Sequence, residues 1–408
     1  MKILVLNAGS SSQKSCLYEL ADSLPDSAPE PLWEAQIDWT KKSGVAVLKV
    51  KSDHGAVLET ELDTDSRQQA IAYMLDTLWS EDTKVIAQPA DIDVVGHRVV
   101  HGGREYREST LITPEVKQAI ARLADIAPAH NPVNLEGIEA IEQILKVDIP
   151  QVAVFDTAFH SQIPLAAAAY PGPYEWLEQG IQRYGFHGIS HQYCAQRTAQ
   201  ILGQNLERLR LIICHLGNGC SLAAIRQGHS IDTTMGFTPL EGLMMGSRSG
   251  SVDPGILLYL LRHQAYSVDQ LDQILNKASG LKGISGLSGD MRQIRQAIAE
   301  NHAQAKLAFD MYVHRLRSQI GAMLATLGGI DALVFTGGVG ENQPDVRAAA
   351  CEAFEFLGLK LDLEKNAQSP ADQDIAAADS TARVVIVHTQ EDWAIAKECW
   401  KLTKIGEK

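Results

Sequence analysis

The sequence predicts an α/β fold built from two related halves. The strongest observation is a repeated pattern of strand, Gly- and Ser-containing tip, and strand, found at residues 4–20 and again at 211–225. Segments with the two-residue period of strands alternate elsewhere with segments that have the period of helices. At 408 residues the chain is also too long for one hydrophobic core. Together these observations indicate two duplicated α/β domains.

The first half begins with alternating apolar and polar residues between Gly and Pro turns, which predicts strands. Helix-period patterns follow, together with one continuous apolar segment that predicts a buried strand. The strands are expected at 2–8, 14–20, 33–38, 45–50, 56–61 and 92–100, and the helices at 66–80, 114–126 and 134–146.

Pro150 precedes the apolar strand 151–155 and marks the expected domain boundary. The first domain is therefore expected to span residues 1–150 and the second 151–387, with 388–408 packing back on the first. The second half repeats this succession of strands and helices. Its helices are expected at 190–203, 254–263, 268–277, 290–300, 303–327 and from Glu391, and its later strands at 331–336 and 384–387.

Composition restricts the partners. The chain has 36 Lys and Arg against 50 Asp and Glu, a net charge of −14, which argues against nucleic acid or an anionic membrane surface as a partner. Its six cysteines form no Cys-x-x-Cys pair and are expected to be reduced thiols. The first strand begins almost at the first residue, and no apolar segment reaches membrane-spanning length. These features predict a cytoplasmic protein.

The tip of the first repeated hairpin suits a phosphate group. Gly9 allows close backbone approach, Ser10 to Ser12 supply hydroxyl and amide donors, and Lys14 adds positive charge. The segment is not a P-loop, since Gln13 precedes the lysine and the exit is extended rather than helical. A plain solvent-exposed hairpin explains this tip equally well when it is considered alone.

The second hairpin, with Gly217, Asn218 and Gly219 at its tip, favours the phosphate interpretation. Two such hairpins in two related halves resemble the superfamily of sugar kinases, actin and heat-shock chaperones. This resemblance implies two actin-like, ribonuclease H-like domains with a nucleotide in the cleft between them.

Longer motifs restrict the resemblance to one family, the acetate kinases. This resemblance extends over nearly the whole chain, from Asn7 to Glu391. Six segments occur in the order found in that family. They are 97–103 (HRVVHGG), 127–132 (APAHNP), 154–160 (VFDTAFH), 184–191 (YGFHGISH), 245–250 (MGSRSG) and 335–342 (FTGGVGEN).

Two arginines are candidates for neutralising charge during phosphoryl transfer. Arg98 follows an apolar β-rich segment and Arg248 lies in a Gly- and Ser-rich loop, where a guanidinium can grip carboxylate or phosphate oxygens with two bonds. A surface or salt-bridging arginine is the alternative for each. The family resemblance implies that both contact the acyl carboxylate and the transferring phosphoryl group.

His187 and His191 lie four residues apart beside Gly188. A zinc pair is not favoured, because no Glu lies between them in the required pattern, Gly188 is expected to interrupt a helix, and no third ligand is indicated. The resemblance implies that His187 donates a hydrogen bond to the transferring phosphoryl group, with His130 in a supporting place. For His130 and His191 a purely structural role is equally well supported.

Asp156 follows a buried strand and Glu391 begins the last helix. Asp156 is otherwise explained as a turn or helix cap. The resemblance implies that both carboxylates organise Mg²⁺ partly through water, near Asn7, with Mn²⁺ as an alternative ion. Mg²⁺ suits one or two carboxylates combined with substrate phosphates.

ATP and ADP are the implied nucleotides. The loop 337–342 after a strand allows close backbone approach, but its sixth residue, Asn342, does not fit a dinucleotide-binding Gly-x-Gly-x-x-Gly motif. Asp290 alone is also explained as a helix N-cap. The nucleotide-binding residues implied by the resemblance are Ser12, Lys14, His215, Asn218, Gly219, Asp290, Arg292, Gly338, Gly340 and Asn342.

The acetate methyl group is implied to face Val100, Ala129, Phe186 and Pro239. Many acetate kinases carry a larger aliphatic residue where this chain has Ala129, so the pocket is expected to admit propionate, unless a neighbouring side chain or a backbone shift fills the gap.

The resemblance therefore predicts a homodimeric enzyme that interconverts ATP plus acetate with ADP plus acetyl phosphate by direct transfer. The catalytic residues would be Arg98, Asp156, His187 and Arg248. A propionate or butyrate kinase is one alternative, and a nucleotide-driven binding protein of the chaperone or actin type is another.

Overall fold

The computed structural model describes residues 1–9, 12–42, 44–64, 66–80, 82–145 and 149–405. These residues form two compact units. One comprises Met1–Ala158 and the segment from Gln390, and the other comprises Phe159–Thr389. The boundary expected at residue 150 moves to 158, because the strand Gln151–Phe155 hydrogen-bonds to the sheet of the first unit.

The described strands form one sheet in each unit. Their bounds, in chain order, are β1 Lys2–Ala8, β2 Ser12–Glu19, β3 Trp33–Lys42, β4 Val45–Ser52, β5 Val57–Asp63, β6 Val94–Val99, β7 Thr110–Leu111, β8 Gln151–Phe155, β9 Arg210–Leu216, β10 Cys220–Arg226, β11 His229–Thr233, β12 Ala332–Thr336, β13 Gln373–Asp374 and β14 Arg383–Ile386.

The helices surround these sheets. They are α1 Arg67–Asp76, α2 Pro114–Arg122, α3 Asn131–Leu145, α4 Leu165–Ala168, α5 Tyr174–Glu178, α6 Gly188–Leu202, α7 Pro254–His263, α8 Val268–Lys277, α9 Gly280–Ser285, α10 Met291–Ala299, α11 Ala303–Leu327, α12 Gly337–Asn342, α13 Pro344–Glu352, α14 Leu363–Gln368 and α15 Glu391–Ile405. Short 3₁₀ turns occur at Pro89–Asp91, Leu123–Asp125, Ala158–His160, Leu206–Arg208 and Glu355–Leu357.

Sheet topology confirms the duplication. The first sheet has the order β5-β4-β3-β2-β1-β6-β8-β7 and the second has β11-β10-β9-β12-β14-β13. In each unit a first hairpin strand, β1 or β9, pairs antiparallel with its successor and parallel with a later strand. That later strand, β6 or β12, pairs parallel with β8 or β14, respectively. The short strand β7 or β13 then pairs antiparallel with β8 or β14 at the edge of the sheet. The predicted α/β fold is thus confirmed.

Several element boundaries differ from the predicted ones. The helix expected at 66–80 ends at Asp76, where the Thr77 hydroxyl donates to the Met74 carbonyl oxygen at 2.7 Å. Gly188, expected to interrupt a helix, is the first residue of α6. Residues 337–342, expected to form a loop, are the short helix α12.

Helix α15 packs on the sheet of the first unit, at Gly96 in β6. A β-carbon at Gly96 would lie 2.5 Å from Cys399 Sγ and 2.7 Å from Ile395 Cγ2, so only glycine allows this approach. The packing brings Glu391 and Asp392, at the start of α15, to the end of β1. No helix in the described parts of the chain is long and apolar enough to cross a membrane.

Candidate active site

Arg98 and Asp156 form a buried ion pair in the first unit. They lie on β6 and directly after β8, two parallel neighbours whose carboxyl ends meet at one sheet edge. Arg98 Nε donates to Asp156 Oδ1 at 3.2 Å and to Oδ2 at 3.1 Å, and Nη2 donates to Oδ2 at 2.6 Å. Their side chains are only 15% and 2% exposed. Asp156 therefore fixes the orientation of the guanidinium, whose Nη1 donates to none of the described residues.

Asn7 connects the end of β1 to the start of α15. Its amide nitrogen donates to Glu391 Oε2 at 3.2 Å and to Asp392 Oδ1 at 2.8 Å. Asp392 Oδ2 lies 3.7 Å from Cys16 Sγ. Sequence analysis missed Asp392, since a second acidic residue at a helix start usually indicates only a favourable helix dipole.

The charged and polar side chains at this edge of the first sheet influence one another electrostatically. We name them the carboxylate–arginine centre, which comprises Asn7, Arg98, Asp156, Glu391 and Asp392. Burial disfavours the Arg98 charge, but the carboxylates of Asp156, Glu391 and Asp392 outweigh it and raise the Arg98 pKa. Burial also raises the pKa of Asp392, against the Asn7 hydrogen bond and the charge of Lys14. The centre therefore holds a fixed cation beside several acidic groups.

The first hairpin has the predicted form, with β1 and β2 in antiparallel register. The Gly9 amide donates to the Ser12 carbonyl oxygen at 2.8 Å. Ser12 is half-buried and Lys14 exposed. Ser10 and Ser11, expected to supply phosphate donors, lie outside the described residues.

His187 is the N-cap of α6 in the second unit and has a left-handed backbone with φ of 57°. Its Nδ1 lies 2.9 Å from Ser221 Oγ, and its ring stacks on that of His215 with centroids 4.3 Å apart. The same Ser221 oxygen lies 2.7 Å from Nε2 of His191. Sequence analysis missed Ser221, since nothing in the alternation of β10 distinguishes a buried serine from an ordinary strand residue.

The side chains of His187 and Arg248 both lie close to Gly219. A β-carbon at Gly219 would lie 3.4 Å from His187 Nε2 and 3.6 Å from Arg248 Nη1. Arg248 is held by its Nη1, which donates to the Pro239 carbonyl oxygen at 2.9 Å. A hydrogen-bond donor or acceptor and a guanidinium thus converge on the tip of the second hairpin, an arrangement suited to an anion.

The loop that carries Arg248 also contacts the hairpin tip. The Gly246 amide donates to the Asn218 carbonyl oxygen at 3.1 Å. A β-carbon at Gly246 would lie 3.0 Å from the Gly289 carbonyl oxygen, directly before Asp290. Asp290 is the N-cap of α10 and forms a salt bridge with Arg292 at 2.6 Å. The structure thus places Asn218, Arg248 and Asp290 on adjoining loops.

Helix α12 carries Gly338, Gly340 and Asn342. The Asn342 amide nitrogen donates to the Gly338 carbonyl oxygen at 3.0 Å. Sequence analysis missed Glu341 and Arg347, which hold this helix. Glu341 Oε1 accepts from the Gly337 amide at 2.9 Å, and buried Arg347 donates from Nη1 to the carbonyl oxygens of Gly340 and Glu341 at 2.7 and 2.8 Å.

The predicted acyl-pocket residues differ in burial. Val100 is buried and Ala129 exposed in the first unit. In the second unit Phe186 is buried, and its carbonyl oxygen lies 3.1 Å from His160 Nε2. Pro239 is half-buried. His130 directly precedes α3 in the first unit.

Comparison with known proteins agrees with these features. A family model described as Acetokinase family matches residues 2–397. An acetate kinase of Nostoc punctiforme is 68% identical over 405 residues, covering 99% of this chain and 100% of the relative. A solved acetate kinase of Porphyromonas gingivalis is 39% identical with a TM-score of 0.89, covering 98% of this chain and 99% of that one. A solved propionate kinase of Francisella tularensis is 37% identical with the same TM-score and coverage.

Proposed function

The chain belongs to the acetokinase family, and on this premise we propose that it transfers the terminal phosphoryl group of ATP to acetate, and the phosphoryl group of acetyl phosphate to ADP. The observation that carries the proposal is the convergence of His187 Nε2 and Arg248 Nη1 on Gly219. Phosphoryl transfer depends on alignment and on stabilising the charge of the transferring group.

Acetate needs no enzyme base, because its carboxylate is already ionised at neutral pH. Arg98 would hold that carboxylate, with Asp156 keeping the guanidinium in one orientation. His187 and Arg248 would stabilise charge on the transferring phosphoryl group. Catalysis would then depend on preorganised charges and donors rather than on a covalent intermediate.

The donor set of the carboxylate–arginine centre fits Mg²⁺. Asn7 and Glu391 offer an amide oxygen and a carboxylate, and Mg²⁺ prefers a few oxygen ligands combined with water and phosphates. Asp156 would act through water, since both its oxygens accept from Arg98. When bound, the ion would neutralise charge on the nucleotide phosphates.

The remaining residues would bind the nucleotide. Asn218, Gly219 and His215 of the second hairpin would face its phosphates, and Ser12 and Lys14 would supply donors and charge from the first. Helix α12, with Gly338, Gly340 and Asn342, would border the adenosine together with Asp290 and Arg292.

Acetate is favoured over longer acids because relatives 61–68% identical to this chain carry the name acetate kinase. The solved acetate and propionate kinases match equally well by TM-score, so the fold itself does not discriminate between the two acids. A binding protein of the chaperone or actin type is disfavoured by the family assignment.

We also propose a homodimer joined through α7 of the second unit. This helix has no buried residue, although most of its side chains are apolar. Ile256, Leu258 and Tyr259 are each about half exposed. A second copy of the same surface would cover them, since large exposed apolar patches indicate interaction sites.

A cytoplasmic location is proposed from the thiols. All six cysteines are buried, and none forms a disulfide in the described part of the chain. Such cysteines suit a reducing compartment.

Trapping with hydroxylamine tests the activity. Incubation with ATP, Mg²⁺, acetate and hydroxylamine should give acetyl hydroxamate and an equal amount of ADP. Reactions without acetate or without Mg²⁺ serve as controls. ADP formation without hydroxamate would contradict a carboxylate acceptor.

A further inference from the structure

We propose that Ser221 and His191 are positioning residues that hold His187 as the tautomer with its proton on Nε2. The inference rests on the proposed function, because it explains how His187 presents a donor to the phosphoryl group. It is carried by the hydrogen bonds around one buried hydroxyl group.

Ser221 lies on β10 and is fully buried. Its Oγ lies 2.9 Å from Nδ1 of His187 and 2.7 Å from Nε2 of His191. A hydroxyl group has a single proton, so it donates to one of these rings and accepts from the other. The direction of this short chain of hydrogen bonds decides which nitrogen of His187 is protonated.

His191 sets the direction. It is fully buried, and its Nδ1 has no hydrogen-bond partner among the described residues. Nδ1 is unpaired in either tautomer, and a buried N–H donor without an acceptor is rarer in proteins than an acceptor without a donor. A proton on Nε2 is instead donated to Ser221 Oγ. Ser221 must then donate to Nδ1 of His187, which leaves the proton of that neutral ring on Nε2.

The surroundings of His191 keep it neutral. His160 and His215 flank its ring, with centroids 5.5 and 6.3 Å away. Burial lowers the pKa of His191 well below its usual value, and the two neighbouring rings lower it further. Burial likewise lowers the pKa of His160 to about 4. Protonation of His191 therefore does not reverse the chain of hydrogen bonds near neutral pH.

The consequence appears at Gly219, which His187 Nε2 and Arg248 Nη1 approach together. With the proton on Nε2, His187 offers an N–H donor to an anion beside the positive charge of Arg248, whose Nη1 donates to the Pro239 carbonyl oxygen and to Met245 Sδ. With the proton on Nδ1, His187 would direct a lone pair at the same anion. The tautomer thus decides whether His187 attracts or repels a phosphoryl group.

Nitrogen-15 NMR of the full-length enzyme with labelled histidine tests the proposal. The spectrum of a His187→Gln variant identifies the His187 signals. We expect a protonated Nε2 and an unprotonated Nδ1 in the wild type. In Ser221→Ala we expect a mixture of tautomers and a kcat reduced roughly 10- to 100-fold, as for other lost partners that orient a histidine, with the KM for ATP unchanged. A protonated Nδ1 in the wild type, or unchanged signals in Ser221→Ala, would overturn it.

Two substitutions of His191 provide a matched pair. His191→Gln keeps an N–H donor for Ser221, whereas His191→Met fills similar space without one. Gln should preserve the His187 tautomer and more of the kcat than Met does, and equal effects would count against the proposal. The wild-type spectrum needs no substrate, so it separates the two proposals. Hydroxamate formation with a protonated Nδ1 refutes the tautomer alone, and a protonated Nε2 without hydroxamate refutes the function alone.

Discussion

Replacing Arg98 by Met should make the stability of the protein depend on pH in a defined direction. The substitution removes the cation that donates three hydrogen bonds to Asp156, whose side chain is 2% exposed. Burial raises the pKa of Asp156, and Arg98 opposes this rise. Without Arg98, folding favours the protonated carboxyl group more strongly than it does in the wild type.

The size of this pH-dependent change in the free energy of unfolding follows from proton linkage. Unfolded Asp156 titrates near its ordinary pKa of about 3.9, below its pKa in the folded variant. The folded variant then binds more protons at Asp156, so the contribution of this group to stability is fully present below about pH 4 and is lost as pH rises through the folded pKa. The fall is about 1.4 kcal/mol per pH unit over that range. The total is limited to about 3–5 kcal/mol, the usual effect of breaking a buried ion pair.

Urea unfolding at several pH values between about 4 and 8 measures this effect. The control is the double variant Arg98→Met/Asp156→Asn, in which the buried acid is absent and the extra pH dependence should disappear. An Arg98→Met protein whose loss of stability is the same at every pH would refute this account of the pair. So would a double variant that keeps the full slope.

Four further predictions concern activity and assembly. Arg248→Ala should lower kcat roughly 10³-fold with little change in nucleotide affinity, whereas exposed Arg226→Ala should have no effect; a variant with a tenth or more of the wild-type kcat excludes Arg248 from catalysis. Glu391→Gln should raise the Mg²⁺ concentration needed for half-maximal activity, and Glu398→Gln on the same helix should not; identical Mg²⁺ curves would contradict the metal assignment. Propionate should be used with kcat/KM within about tenfold of acetate and Ala129→Leu should reduce propionate use selectively, whereas wild-type discrimination beyond about a hundredfold would refute an open pocket. Leu258→Asp in α7 should yield monomers by light scattering, unlike Leu363→Asp at another exposed site, and an intact dimer would place the interface elsewhere.

The fold could be predicted because local patterns and the long-range arrangement agree. The alternation in β1 to β5 and the helical period of α11 fix those elements, and the repeated hairpins indicated the duplication that both sheets show. The short strands β7 and β13, of two residues each, exist only through pairing with a neighbour and leave no local pattern. Helix α12 escaped prediction because its three glycines favour a loop, and Glu341 and Arg347 stabilise it instead.

The site was predictable only where motif and geometry coincide. Arg98 and Asp156 follow from motifs on two strands, but their direct pairing depends on the register of β6 and β8. The roles of Ser221, His191 and Asp392 depend on their burial and on their distances from residues that are remote in the sequence. These quantities depend on tertiary packing, which periodicity in the sequence does not record.

Direct acceptance of the phosphoryl group by acetate can be followed at phosphorus. The configuration of acetyl phosphate made from ATP that is chiral at its γ-phosphorus reports how many displacements have occurred. A single in-line displacement inverts the configuration at phosphorus, whereas passage through a phosphorylated enzyme residue inverts it twice. We expect net inversion, and net retention would show instead that a phosphorylated enzyme residue lies on the pathway.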